Sequence, residues 1–103
     1  MHTAIADKKA NLIELCRQYH VERLEVFGSA ARGTDFDPQT SDVDFLVEFK
    51  PESDLSPFDQ FFDFAEALKT VLGRRVDLVE AAAINNPYLR TAINKSRELV
   101  YAS

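Results

Sequence analysis

The sequence predicts an α/β domain, a small mixed β-sheet with helices mainly on one face. Three observations lead there. Short apolar runs rich in β-branched and aromatic residues occur at Val21–Phe27, Asp42–Phe49 and Arg74–Val79. Stretches with a 3.6-residue apolar period lie between and around them. Two cap-plus-proline pairs, Ser56-Pro57 and Asn86-Pro87, mark helix starts. The expected order is helix, strand, short helix, strand, helix, strand, helix. The 103 residues suit a single domain spanning 1–103, and 46% hydrophobic content with eight Phe can fill its core.

Ile5, Leu12, Leu15, Cys16 and Tyr19 recur at helical spacing, with Thr3 as a candidate N-cap. Cys16 on that apolar side reads as a small core residue. His20 ends the helix, and His2 is placed in a frayed terminus. The strand Val21–Phe27 leads into Gly28-Ser29. Asp35 and Asp37, beside Pro38, read as solvated turn residues. After the second strand, Ser56 caps a helix that carries Phe58, Phe61, Phe62, Ala65, Leu68 and Leu72 as an apolar stripe and closes at Gly73. Phe58, Phe61 and Phe62 read as core. Phe64 lies off the stripe's centre and divides evenly between core and a partner surface. Leu89, Ala92 and Ile93 form the inner face of the last helix. Leu99-Val100-Tyr101 is either a further strand or a helix end.

The chemistry concentrates between Phe27 and Phe49. Alternation along a strand places Asp42 and Asp44 on one face and Val43, Phe45, Val47 and Phe49 on the other. Two adjacent carboxylates repel each other, and a divalent cation resolves the repulsion; hard oxygen ligands suit Mg²⁺. Gly28 allows a sharp turn and a close approach of backbone to ligand. Ser29 opens the Ala-rich segment Ser29–Arg32, whose helix start favours phosphate, and Arg32 adds a cation. A phosphate cradle facing a carboxylate pair describes nucleotidyl or phosphoryl transfer. A third carboxylate, Asp77, stands amid apolar residues in the third strand, where Asp is disfavoured. It is either an edge-strand surface residue or a third metal ligand. Glu80 is a weaker candidate, and Arg74 and Arg75 either steer phosphate or are solvated.

Gly28-Ser29 followed by Asp42-x-Asp44 resembles the signature of the DNA polymerase β-like nucleotidyltransferase superfamily. The wider string GSAARG…SDVDFLVEF resembles its minimal nucleotidyltransferase (MNT) branch, over essentially the whole chain. The twelve residues from Ala30 to Ser41 exceed the branch's usual spacing, and the extra length falls in the polar segment Thr34–Thr40. The resemblance implies Asp42, Asp44 and Asp77 as catalytic and metal-binding residues, with two Mg²⁺ ions. It implies Gly28, Ser29 and Arg32 as the nucleotide site and ATP as donor. It also implies an antitoxin role, in a hetero-oligomer with a HEPN-domain RNase toxin whose tyrosine receives AMP. An antitoxin that works by occlusion alone and a small-molecule (antibiotic) nucleotidyltransferase are the alternatives. The latter generally carries an additional substrate domain.

A net charge of −5 and a pI near 4.9 argue against a nucleic-acid surface and hence a polymerase. One cysteine excludes an internal disulfide and a CxxC site. The absence of a membrane-span-length run and of a signal-peptide core gives the expectation of a cytoplasmic protein without membrane association.

Overall fold

The computed structural model describes residues 1–33, 37 and 42–103. The elements are α1 (Thr3–Ala6), α2 (Lys9–Gln18), β1 (Val21–Phe27), α3 (Ser29–Arg32), β2 (Val43–Phe49), α4 (Pro57–Leu72), β3 (Val76–Glu80), a 3₁₀ turn (Ala81–Ala83), α5 (Pro87–Asn94) and β4 (Glu98–Ala102). Among the described residues the strands form one sheet of order β3-β2-β1-β4. β1 runs antiparallel to both β2 and β4, while β2 and β3 are parallel. The α/β class, the mixed sheet and the element order agree with the expectation. Leu99-Val100-Tyr101 belongs to a strand: Val100 is buried, and Tyr101 pairs with Leu24.

One face of the sheet carries the main core. Val26 of β1, Val43, Phe45 and Val47 of β2 and Val100 of β4 meet Ile5, Leu12 and Cys16 from α1 and α2, and Phe64, Leu68 and Leu72 from α4. Burial pushes the Cys16 thiol up to about 12, which agrees with a packing role. The opposite face holds a smaller cluster, Leu46, Ile84 and Ile93, flanked by Phe27, Val79 and Ala81. The middle of β2 is therefore buried on both sides. The second cluster seats α5 beside the candidate site.

Local signals account for the element ends. Ser56 Oγ accepts the Asp59 N–H at 3.2 Å, Pro57 opens α4, and Gly73 closes it at φ +64°. Asn86 Oδ1 caps α5 through the N–H groups of Tyr88 and Leu89. At the N-terminal end two expectations change. The first helix is broken in two around Asp7 and Lys8. His2, not Thr3, is the N-cap: its Nδ1 accepts the Ala4 N–H at 3.0 Å. The His2 backbone N–H also donates to the Ala30 carbonyl at 2.8 Å, so His2 is tied to α3 rather than frayed. The assignments made for Thr34–Thr40, including Asp35 and the extra length, lie outside the described residues apart from Asp37, which is exposed.

The Phe assignments on α4 are largely reversed. Phe64 is fully buried, edge-on to Phe49 at 5.8 Å and tilted against Tyr19 at 5.7 Å. Phe58 and Phe62 are 70% and 50% exposed, and Phe61 is half-buried. The buried stripe is Phe64, Ala65, Leu68 and Leu72, with Gln60 at its start. It is rotated from the expected one because residues 60, 64, 68 and 72 stack along one helix line. Phe58 and Phe62 stack with each other instead, at 4.5 Å. Likewise only Ile93 of α5's expected inner face is buried, while Leu89 and Ala92 are exposed.

Phe64→Ala is expected to destabilise the protein by about 3–5 kcal/mol. Phe58→Ser and Phe62→Ser are expected to stay within about 0.5 kcal/mol of the parent. Urea denaturation of the three variants checks this ordering.

Candidate active site

The site forms where β1 ends and β2 begins. Antiparallel pairing sets Phe27 opposite Asp44. The next residue, Gly28, turns the chain at φ +71°, ψ −153°, a conformation that L side chains rarely adopt. A Cβ on Gly28 would stand 2.5 Å from Asp44 Oδ2. Only glycine permits this approach without a shift of the carboxylate or the turn. Ser29 then starts α3, and the Gly28 carbonyl accepts the N–H groups of Ala31 and Arg32, both at 3.2 Å. The helix is a single turn, with Ala30 and Ala31 buried and Arg32 exposed at its end.

Parallel pairing of β2 with β3 places Asp77 in register with Asp44. Asp77 is on an edge strand and exposed, as an ordinary surface residue would be. Its register nonetheless brings its charge to Asp44. The Asp44 carboxyl is pushed up to about 6, first by burial, then by Asp77 and Asp42, with the Arg32 charge opposing. Asp42 precedes the first residue of β2, one position later than the expected strand start, and pairs with Arg75 Nε at 2.9 Å. Among the described residues no three acidic, His or Cys side chains stand together as a ready-made metal cluster. The structure thus brings Asp42, Asp44, Asp77, Arg32 and the Gly28-Ser29 turn into one neighbourhood. Glu80 is separated from it: three positions beyond Asp77 it alternates to the other face of β3, in register with Val47. Arg75 engages Asp42 directly.

Sequence reasoning missed four residues that support this corner, Glu25, Arg97, Arg23 and Ser96. Glu25 of β1 is 4% exposed and takes a two-pronged hydrogen bond from Arg97, Nε to Oε2 at 2.7 Å and Nη2 to Oε1 at 2.5 Å. Arg23 Nε adds a third donor at 2.9 Å. The Arg97 bond holds the Glu25 carboxyl below its ordinary value against the opposing effect of burial. Ser96 Oγ accepts the Gly28 N–H at 3.0 Å. A lone carboxylate in an apolar strand singled out Asp77; Glu25 offered a weaker signal, an acid between Leu24 and Val26 in a strand that also holds Glu22 and Arg23. An open groove of about 340 Å³, lined by Ala10, Asn11, Glu14, Leu15 and Val71, shares no residue with this site.

The family model "Nucleotidyltransferase domain" matches residues 9–100. The chain belongs to this nucleotidyltransferase family. The protein adenylyltransferase MntA of Thermococcus cleftensis is 38% identical over 88 residues, covering 85% of this chain and 81% of that protein. A solved structure assigned as a minimal nucleotidyltransferase shares 28% identity at a TM-score of 0.74, covering 95% of both chains. A complex of a tri-AMPylated Shewanella oneidensis HEPN toxin with its MNT antitoxin contains a chain of the same fold, with 18% identity and a TM-score of 0.65. That match covers 95% of this chain and 72% of the other. In this nucleotidyltransferase Asp44 on β2, with Asp42 just before the strand, lies against the glycine turn.

The raised Asp44 pKa has a consequence for the metal-free protein. A carboxyl whose folded pKa exceeds the unfolded one stabilises the fold below the unfolded pKa and loses that contribution as pH rises through the folded pKa. The window here runs from about 4 to about 6. Asp44→Asn should therefore melt higher than the parent at pH 8 in chelator and equal to it below pH 4. Solvent screening of a half-buried carboxyl reduces the difference to about 1 kcal/mol. That corresponds to roughly 4–8 °C in a domain of this size. Melting curves across that range test the sign.

Proposed function

We propose that this nucleotidyltransferase moves AMP from ATP to a tyrosine hydroxyl of a HEPN-domain toxin, and so acts as the antitoxin of the pair. The observation that carries the reading is the meeting of the Gly28 turn with Asp44 and Asp77 in a chain of this family. The partner is proposed from the relatives: one is named a protein adenylyltransferase, and one fold neighbour is an antitoxin bound to an AMP-bearing HEPN toxin.

The donor set fits Mg²⁺. Three carboxylates supply hard oxygen ligands. The proton affinity that burial, Asp77 and Asp42 confer on Asp44 marks negative charge that a cation would offset. Asp42, Asp44 and Asp77 would hold two such ions, with Asp42 leaving Arg75 to do so. Bound there, Mg²⁺ would neutralise the triphosphate and polarise the attacking hydroxyl. The chain's own groups do the rest. Gly28 admits the β- and γ-phosphates close to the backbone, because a side chain there would fill the space beside Asp44. Ser29 contributes its hydroxyl, and the start of α3 contributes the N–H groups of Ser29 and Ala30, which precede those that the Gly28 carbonyl accepts. Arg32 adds positive charge. Asp77, exposed on the edge strand, accepts the proton of the incoming hydroxyl. The hydroxyl oxygen bonds to the α-phosphorus, the bond to the bridging oxygen breaks, and pyrophosphate leaves.

A substoichiometric amount of the protein with ATP and Mg²⁺ should silence the RNase activity of its HEPN partner. Each modified toxin should gain the mass of AMP at tyrosine. Asp44→Asn should lower the transfer rate by at least about 100-fold. Mass spectrometry of the partner, read beside an RNase assay, decides. Full silencing by Asp44→Asn with no mass gain would overturn the enzymatic reading and leave inhibition by occlusion.

A further inference from the structure

We infer that Ser96 and Arg97 are positioning residues of the nucleotide site, a clasp that holds the Gly28 turn in its working shape. The inference rests on the proposed role of Gly28 at the phosphates. Gly28 sits at φ +71°, ψ −153°, a region glycine enters and leaves freely, so the turn keeps one shape only where its peptide groups are held by partners. Its carbonyl is held locally, by the N–H groups of Ala31 and Arg32. Its N–H is held from the far end of the chain, by Ser96 Oγ, 68 positions away. With both ends bound, the peptide groups around Gly28 have little freedom to rotate.

Ser96 is itself fixed from two sides. Its N–H and that of Arg97 both donate to the Ile93 carbonyl, at 3.1 and 3.0 Å, and Ile93 is buried against Leu46. Arg97 then forks onto Glu25, 72 positions away on β1 and three residues before Gly28. A third donor of Arg97, Nη1, reaches Asn94 Oδ1 at 2.7 Å and ties the fork back to the end of α5. Consecutive residues of one turn therefore grip β1 and the turn that follows it. A two-pronged Arg–carboxylate bond fixes direction as well as distance. Glu25 is buried, so its charge depends on Arg97 and Arg23 for partners. Neither Ser96 nor Arg97 needs to touch nucleotide for this arrangement to set the phosphate cradle.

The test is calorimetric titration of Mg²⁺ with a non-hydrolysable ATP analogue. The proteins compared are the parent, Ser96→Ala, Ser96→Thr, Arg97→Gln and Val71→Ala, a packing control remote from the site. All are measured at a temperature where circular dichroism shows each one folded. Loss of one neutral hydrogen bond should weaken binding by about 5–10-fold in Ser96→Ala. Ser96→Thr should restore it, and Arg97→Gln should weaken it. Val71→Ala should melt lower yet bind as the parent does. Hydrogen exchange at the Gly28 amide, followed by NMR without nucleotide, should accelerate in Ser96→Ala and not in Ser96→Thr. Parent-like affinity together with unchanged exchange in Ser96→Ala would overturn the clasp. Accelerated exchange in Ser96→Ala, with a parent protein that binds no analogue, would sustain the clasp and overturn the nucleotide reading beneath it.

Discussion

The site depends on one close approach, that of the Gly28 backbone to the Asp44 carboxylate. Antiparallel pairing places the last residue of β1 opposite Asp44, and the chain must turn at once. A side chain at the turn would collide with Oδ2. Every other group of the candidate site takes its position from this corner. Ser29 and Arg32 follow because α3 begins at the turn. Asp77 follows because β3 pairs in parallel with β2. The helical layer contributes indirectly: Phe45 and Val47, buried beneath α2 and α4, keep β2 in the register that aims Asp44 at the turn.

The charges around the corner are arranged unequally. Glu25, deep in the sheet, has three short bonds from two arginines, and its charged form is favoured. At Asp44, burial and the charges of Asp77 and Asp42 outweigh the opposing charge of Arg32 and push the carboxyl up to about 6. Asp42 is paired, but at an exposed position where an ion pair contributes little. One carboxylate is therefore committed to structure, while the negative charge at Asp42, Asp44 and Asp77 is offset only in part, by Arg75 and Arg32. That contrast separates a buried structural acid from acids available to a ligand.

Much of this corner was legible in the sequence because its signals are local. Gly28-Ser29 after an apolar run, Asp42-x-Asp44 heading another, and Asp77 misplaced in a third all lie within short windows. The same holds for the caps at Ser56-Pro57, Gly73 and Asn86-Pro87, each of which the structure uses. The phase of α4 was not legible. With Phe at 58, 61, 62 and 64, several apolar stripes are possible, and contact with Tyr19 and Phe49 selects the one containing Phe64. The second cluster around Leu46 was hidden because an alternating reading gives a strand a single apolar face. Ser96 and Arg97 were hidden for a different reason. Their partners lie 68 and 72 positions away, and no periodicity within a window reports a contact at that range.

The most direct measurement is binding of a non-hydrolysable ATP analogue with Mg²⁺ to Gly28→Ala. One methyl group tests the central contact: it needs a disfavoured φ and stands 2.5 Å from Asp44 Oδ2. The variant should fold, with its circular dichroism spectrum preserved, and should bind the analogue at least about tenfold more weakly, a loss of about 1.4 kcal/mol. Folded Gly28→Ala with parental affinity would show that the turn and Asp44 do not form the phosphate site, and would contradict the account.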